Sequence, residues 1–205
     1  MFRILTVAVL CLVFIKPNVL AQIQSQGQTN SDFVNSLQRG RAEYAAGHLS
    51  AAEALFTEAL RTLRPGEDVP RATALAELGD VYLVKDELAK AVQHYSESLA
   101  IYRRLSNKKG MAVDLRNLGA AYSLQRRHQD ALRVLKEAVK YSQPVNADNA
   151  AIAAQVLNSL GVAYYRMAKN NKAEDYFNQA IRIISTFKVP FDEGQLFNNL
   201  GAVYF

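Results

Sequence analysis

Apolar residues fall three and four apart along residues 31 to 205, the spacing of one helical face, whereas residues 4 to 15 are a run of apolar residues interrupted only by Thr6. The periodic part is punctuated by Pro65, Pro70, Pro144 and Pro190 and by short polar stretches, where a helix cannot continue. This pattern predicts helices near 31–46, 50–63, 70–84, 88–104, 110–126, 128–142, 148–168, 170–186 and 192–205. The expected fold class is all-α.

The helices repeat one another. Leu78-Gly79-Asp80-Val81-Tyr82 is echoed by Leu118-Gly119-Ala120-Ala121-Tyr122, then by Leu160-Gly161-Val162-Ala163-Tyr164 and Leu200-Gly201-Ala202-Val203-Tyr204. A weaker copy opens the series at Gly40, with Tyr44 near the aromatic position. Twelve residues beyond the first four glycines stand Ala52, Ala91, Ala131 and Ala173. Phe56, Tyr95, Leu135 and Phe177 follow four later, and Ala59, Ser98, Ala138 and Ala180 three beyond those. Leu and Tyr four apart share one helical stripe, and the Ala, bulky and small positions make a matching stripe on the next helix. Glycine inside a helix costs about 1 kcal/mol relative to alanine, so five at one register require a reason. Close approach of a partner helix supplies it.

This pattern resembles the tetratricopeptide repeat, a helix–turn–helix unit with a Leu-Gly-x-x-Tyr signature followed by Ala, a bulky residue and Ala. Repeats of about forty residues look more like those of kinesin light chains and related cargo adaptors than the shorter family average, and the signature Trp is absent. The resemblance implies an α-solenoid of antiparallel helix pairs wound as a right-handed superhelix. Four repeats and the first helix of a fifth would span 31–205. Its signature residues are Gly40, Gly79, Tyr82, Ala91, Gly119, Tyr122, Ala131, Gly161, Tyr164, Ala173, Gly201 and Tyr204.

The apolar run at residues 4–15 has a different meaning. Arg3 precedes it, Lys16-Pro17-Asn18 ends it, and Val19-Leu20-Ala21 offers small residues at a cleavage point. Residues 1–21 therefore read as a secretory signal, too short to span a bilayer, with Gln22 as the mature N-terminus. Residues 22–30 read as a flexible lead-in. The expectation is export to a bacterial periplasm or the exterior, with no stable membrane anchor after cleavage. Cys11, the single cysteine, would leave with the signal. Losing Arg3 and Lys16 takes the formal charge from +5 to +3, too small and too dispersed to suggest a nucleic-acid partner.

Chemistry is scarce. There are three histidines, at dissimilar repeat positions, and no phosphate loop, HExxH, CxxC or GxSxG motif. The expectation is a non-enzyme with no cofactor and no metal. Glu67-Asp68 and Asp192-Glu193 lie at helix starts, where the dipole favours them. Two basic clusters, Arg103-Arg104 with Lys108-Lys109 and Arg126-Arg127-His128, read first as dipole-compensating surface.

The face opposite the Leu stripe of each first helix is more informative. At 100° per residue, positions two before and two after the Leu lie about 160° from it. These and adjoining positions place Arg41, Asp80, Arg116, Asn117, Asn158, Ser159, Asn198 and Asn199 on one face, with Tyr44 and Tyr165 further along it. In the cargo adaptors that the repeats resemble, asparagines here form a ladder that hydrogen-bonds an extended peptide. The resemblance carries that role to Asn117, Asn158, Asn198 and Asn199 only, because the early repeats have Gln38, Ala76 and Glu77 instead. The reading is an exported scaffold that binds a peptide or protein segment on a concave face. Its rival is the sensing or docking half of a longer enzyme or signalling protein. The apolar stripe running to Val203-Tyr204-Phe205 is read as continuing into a longer chain, or as covered by another chain through self-association.

Overall fold

The structure, a computed structural model, describes residues 17–143, 146–188 and 193–204. The described residues form helices α1 (Pro17–Ala45), α2 (Leu49–Thr62), α3 (Asp68–Val84), α4 (Leu88–Arg104), α5 (Lys108–Leu124), α6 (His128–Tyr141), α7 (Ala147–Tyr165), α8 (Asn170–Phe187) and α9 (Glu193–Tyr204). The fold is all-α, and each expected helix is present. The signal expectation falls mainly on residues 1–16, outside the described part.

One expectation is corrected. Residues 22–30, read as a flexible lead-in, belong to α1, which continues back to Pro17. Polar composition alone does not break a helix: Gln and Ser are ordinary helix formers, only Gly27 interrupts them, and proline is tolerated in a first turn.

The chain divides at Gly66 into two compact units. In the first, α1 packs on α2, and Phe33 and Leu37 are buried with Ala52, Phe56 and Ala59. In the second, α3 pairs with α4, α5 with α6, and α7 with α8, while α9 lies against α7 and α8. The first helices α3, α5 and α7 also touch in succession. Its position between α3 and α7 explains why α5 buries residues all round, whereas α6 buries one stripe, Ala131, Leu132, Val134, Leu135 and Ala138.

The glycine register has a more specific cause than helix–helix proximity. A Cβ on Gly40 or Gly119 would stand 2.5 Å from the Phe56 ring or the Leu135 side chain, and one on Gly79 or Gly161 would collide equally with Tyr95 or Phe177. Each glycine is the floor of a socket for the bulky residue sixteen positions later. Gly201 has no such neighbour within 4 Å.

The turns inside the pairs repeat as well. Gly47, Asp86, Arg126 and Ala168 occupy equivalent places with φ of 80, 60, 60 and 55°. In each, the next amide closes the turn: His48 N–H donates to Glu43 O, Glu87 to Tyr82, Arg127 to Tyr122 and Lys169 to Tyr164, at 2.8–3.0 Å. This left-handed cap satisfies carbonyls that the helix end leaves orphaned. It also stops α5 at Leu124 and α7 at Tyr165, short of the expected 126 and 168.

Candidate functional site

Two clefts open between successive first helices of the second unit, one on each side of α5. The α3–α5 cleft, about 330 Å³, is lined by Ala76, Glu77 and Asp80 of α3, by Gly110, Val113, Asp114, Arg116 and Asn117 of α5, and by Tyr102 of α4. The second, about 360 Å³, is lined by Gly119, Ala120, Ser123 and Leu124 of α5, by Asn158, Ser159, Val162 and Arg166, and by Asn199 of α9.

The first cleft holds a polar relay through four helices. Tyr95, the bulky residue seated on Gly79, donates its hydroxyl to Asp80 Oδ1 at 2.6 Å. Asn117 Nδ2 donates to the same oxygen at 3.4 Å, Arg116 Nη2 donates to Asn117 Oδ1 at 2.7 Å, and Arg116 Nη1 reaches Gln155 Oε1 of α7 at 2.6 Å. Burial raises the pKa of Asp80, with Glu77 adding to the rise, while the Tyr95 hydrogen bond and the Arg116 charge oppose it. Burial pulls the Arg116 guanidinium down, and Asp80 and Tyr95 hold it up. A buried tyrosine hydroxyl needs a partner, which accounts for Asp80 beside the socket glycine, where the later repeats have Ala120 and Val162.

Asp114 is outside that relay. Its side chain is fully buried and neither carboxyl oxygen has a hydrogen-bond partner. Burial pushes its pKa up to about 7, with the negative charge of Asp80 adding to the rise; nearby Ser98 opposes it, but the Ser98 hydroxyl donates its proton to Ala72 O at 2.9 Å. Burying a carboxylate without a partner is strongly unfavourable, so the acid holds its proton up to about pH 7. Sequence reasoning passed over Asp114, although a signal was available. Four residues before the repeat leucine, the other copies of the second unit have Ala74, Val156 and Leu196, all buried, so an acid here occupies a core register.

The second cleft is neutral at its centre. Asn199 Nδ2 donates to Asn158 Oδ1 at 3.0 Å, bridging α9 and α7, and both side chains are half-buried. Ser159 donates to Gln155 O at 2.9 Å. Arg166 Nη1 donates to Ser123 O at 3.2 Å, and a further cavity of about 390 Å³ continues past Arg166 to Arg126 and His128.

Of the residues singled out by sequence, Arg116 and Asn117 therefore meet in the first cleft, and Asn158 and Asn199 in the second. Asn117 is buried and committed to the relay. Asn198 is exposed and Tyr165 is 40% exposed, and neither lines a cleft described above. Arg41 is an exposed residue of α1 in the first unit. The basic clusters are largely engaged at the surface: Arg103 pairs with Glu137 at 2.8 Å, Arg104 with Asp68 at 2.7 Å and Arg127 with Asp130 at 2.7 Å. Among the described residues no group of three or more His, Cys, Asp or Glu side chains is arranged to hold a metal ion, and no helix is long and apolar enough to cross a membrane.

Known proteins of similar sequence and structure fit this arrangement. Response regulator aspartate phosphatase E of Bacillus subtilis (strain 168) is 27% identical over 173 residues, 82% of this chain and 45% of that protein. A Rap protein in complex with competence and sporulation factor superposes with a TM-score of 0.73 at 18% identity, over 84% of this chain and 48% of that one. BtubC from P. vanneervenii gives 0.67 at 23% identity, over 88% and 83%. The structural likenesses establish a shared fold, and the chain spans about half the length of the phosphatase and of the Rap protein. The sequence profile of the tetratricopeptide repeat matches residues 70–143 and 125–186, more than half of the chain; with the glycine sockets and helix pairs that the structure places there, the chain belongs to the tetratricopeptide repeat family.

Proposed function

We propose that the chain is an exported, non-catalytic interaction scaffold that holds an extended peptide or protein segment against its first helices, centred on the cleft of α5, α7 and α9. One observation carries the reading: Asn158 and Asn199 stand side by side, hydrogen-bonded to each other at 3.0 Å, in a cleft rather than in the core. An amide offers both a donor and an acceptor, which is what an extended backbone presents in turn. The structural relative bound to competence and sporulation factor supports the same reading. Export rests on the apolar run after Arg3 and on Val19-Leu20-Ala21; mass spectrometry of exported protein should find Gln22 as the first residue, and intact Met1 there would remove that part.

The test uses a randomised octapeptide pool, N-acetylated and C-amidated, passed over the immobilised chain. Each lost hydrogen bond is worth about 0.5–1.5 kcal/mol, so replacing Asn158 and Asn199 by Ala should weaken retained peptides by roughly one to two decades. Unchanged retention with unchanged helix content would make the two asparagines ordinary surface. A second reading has its own support: the phosphatase relative is about twice the length of the matched part. The same face would then be the docking part of a longer enzyme or signalling protein, and the gene sequence beyond codon 205 decides between them.

A further inference from the structure

Asp114 is placed where the other repeats of the second unit put an apolar side chain, and the scaffold gives it neither a hydrogen bond nor a compensating cation. Several charged and titratable groups surround it. On α3 stand Glu77 and Asp80; on α4, Tyr95 and Tyr102; on α5, Lys109 and Arg116. Asp80 and Tyr102 each interact with Asp114 as negative or potentially negative groups. Arg116 is directed away, to Asn117 and the uncharged Gln155 of α7. The α6 side of α5 is closed by Leu135 on Gly119. A fully buried acid thus lines an open cleft that also contains a second carboxylate, and no cation of the protein contributes to its titration.

We propose that the α3–α5 cleft receives a cationic side chain, an ammonium or guanidinium, from the same segment that lies on the asparagines, and that Asp114 releases its proton to water as the cation enters. This rests on the peptide-binding reading and adds a charge requirement to it. The cation replaces the proton as the group that neutralises the carboxyl. No direct contact is needed, because in a poorly solvated site an opposite charge several ångströms away already favours the ionised acid. Binding and proton release are then linked. With the free acid titrating near pH 7 and the occupied one ionised throughout, affinity should rise about tenfold between pH 6 and pH 8, with about half a proton released per peptide at pH 7.

The octapeptide pool tests this at both pH values with the full chain. Peptides carrying Lys or Arg should be over-represented among those retained. One synthesised from that set should bind about tenfold more tightly at pH 8 than at pH 6, with proton release visible by calorimetry in buffers of different ionisation enthalpy. Asp114→Asn should keep retaining peptides while losing the Lys/Arg excess, the pH dependence and the proton release; Asp114→Ser serves if the asparagine variant does not fold. Retention of neutral and cationic peptides alike, or a pH dependence that survives in the variant, overturns the cation site and leaves the peptide-binding reading standing. Retention of no peptide at either pH defeats that reading, and this inference with it.

Discussion

The two flanks of α5 handle polarity in opposite ways. Toward α3, charged groups are drawn into the fold: Asp80 is tied to Tyr95 and Asn117, Arg116 bonds Asn117 while reaching back across α5 to Gln155 of α7, and Asp114 sits behind them without a hydrogen-bond partner. Toward α7 and α9, the central groups are neutral amides that touch each other and border an open cleft. One repeat scaffold therefore supports two kinds of surface. Where ionisable groups are buried, their energy depends on pH and on the charge of whatever arrives. Where amides are half-exposed, recognition depends on hydrogen-bond geometry and is indifferent to pH.

Removing the titrating group breaks this contrast most sharply. The pKa of Asp114, about 7 in the folded chain, lies above the carboxylate value of about 3.9 expected of an unfolded one. Below about pH 4 both states hold the proton and the stabilisation is complete. Between pH 4 and pH 7 only the folded state holds it, so stability falls as pH rises, and above pH 7 the loss is complete. Asp114→Asn removes this slope. Denaturant unfolding should show the variant gaining on the parent by about 3 kcal/mol from pH 5 to pH 8, whereas Asn158→Ala should show no such change. Equal slopes in parent and Asp114→Asn would place the titration elsewhere.

A second comparison concerns the socket beneath the neutral cleft. Gly119→Ala forces a Cβ against Leu135 and should destabilise by about 1–3 kcal/mol through overpacking. Gly201→Ala meets nothing within 4 Å and should instead stabilise its helix by up to about 1 kcal/mol. Thermal melts of the two variants distinguish them by sign. A shared sign would mean that Leu135 can move aside, and that the socket is not what fixes glycine there.

The smallest effect lies in the cavity beyond Arg166. Arg126 has a φ of 60°, where a side chain is strained and glycine is not. Arg126→Gly should therefore raise stability by about 1 kcal/mol, leaving peptide affinity at Asn158 and Asn199 unaltered. A lower melting temperature would show that the Arg126 side chain makes a contribution larger than the strain it imposes.

The helices, their pairing and the glycine register are legible in the amino-acid order alone, because they follow from spacing repeated along the chain. A Leu and a Tyr four apart must share a face wherever the helix goes, and a glycine sixteen residues before a bulky side chain recurs only if the two meet. The same logic reached Asn158, two before its repeat leucine, and Asn199, one before its own. It could not tell that Asn117, at the position equivalent to Asn199, would be buried against Arg116 and Asp80, since a position on a helix face specifies a direction and not a neighbour. Residues 22–30 look like a lead-in by composition, yet they hold no strong helix breaker besides Gly27 and join α1. Asp114 was visible as an acid in a core register, but its protonation depends on burial, on the carboxylate of Asp80 and on the commitment of Ser98 to Ala72, contributed by three different helices. Only tertiary structure decides such a group, because desolvation and Coulomb energy depend on distances in space that no periodicity encodes.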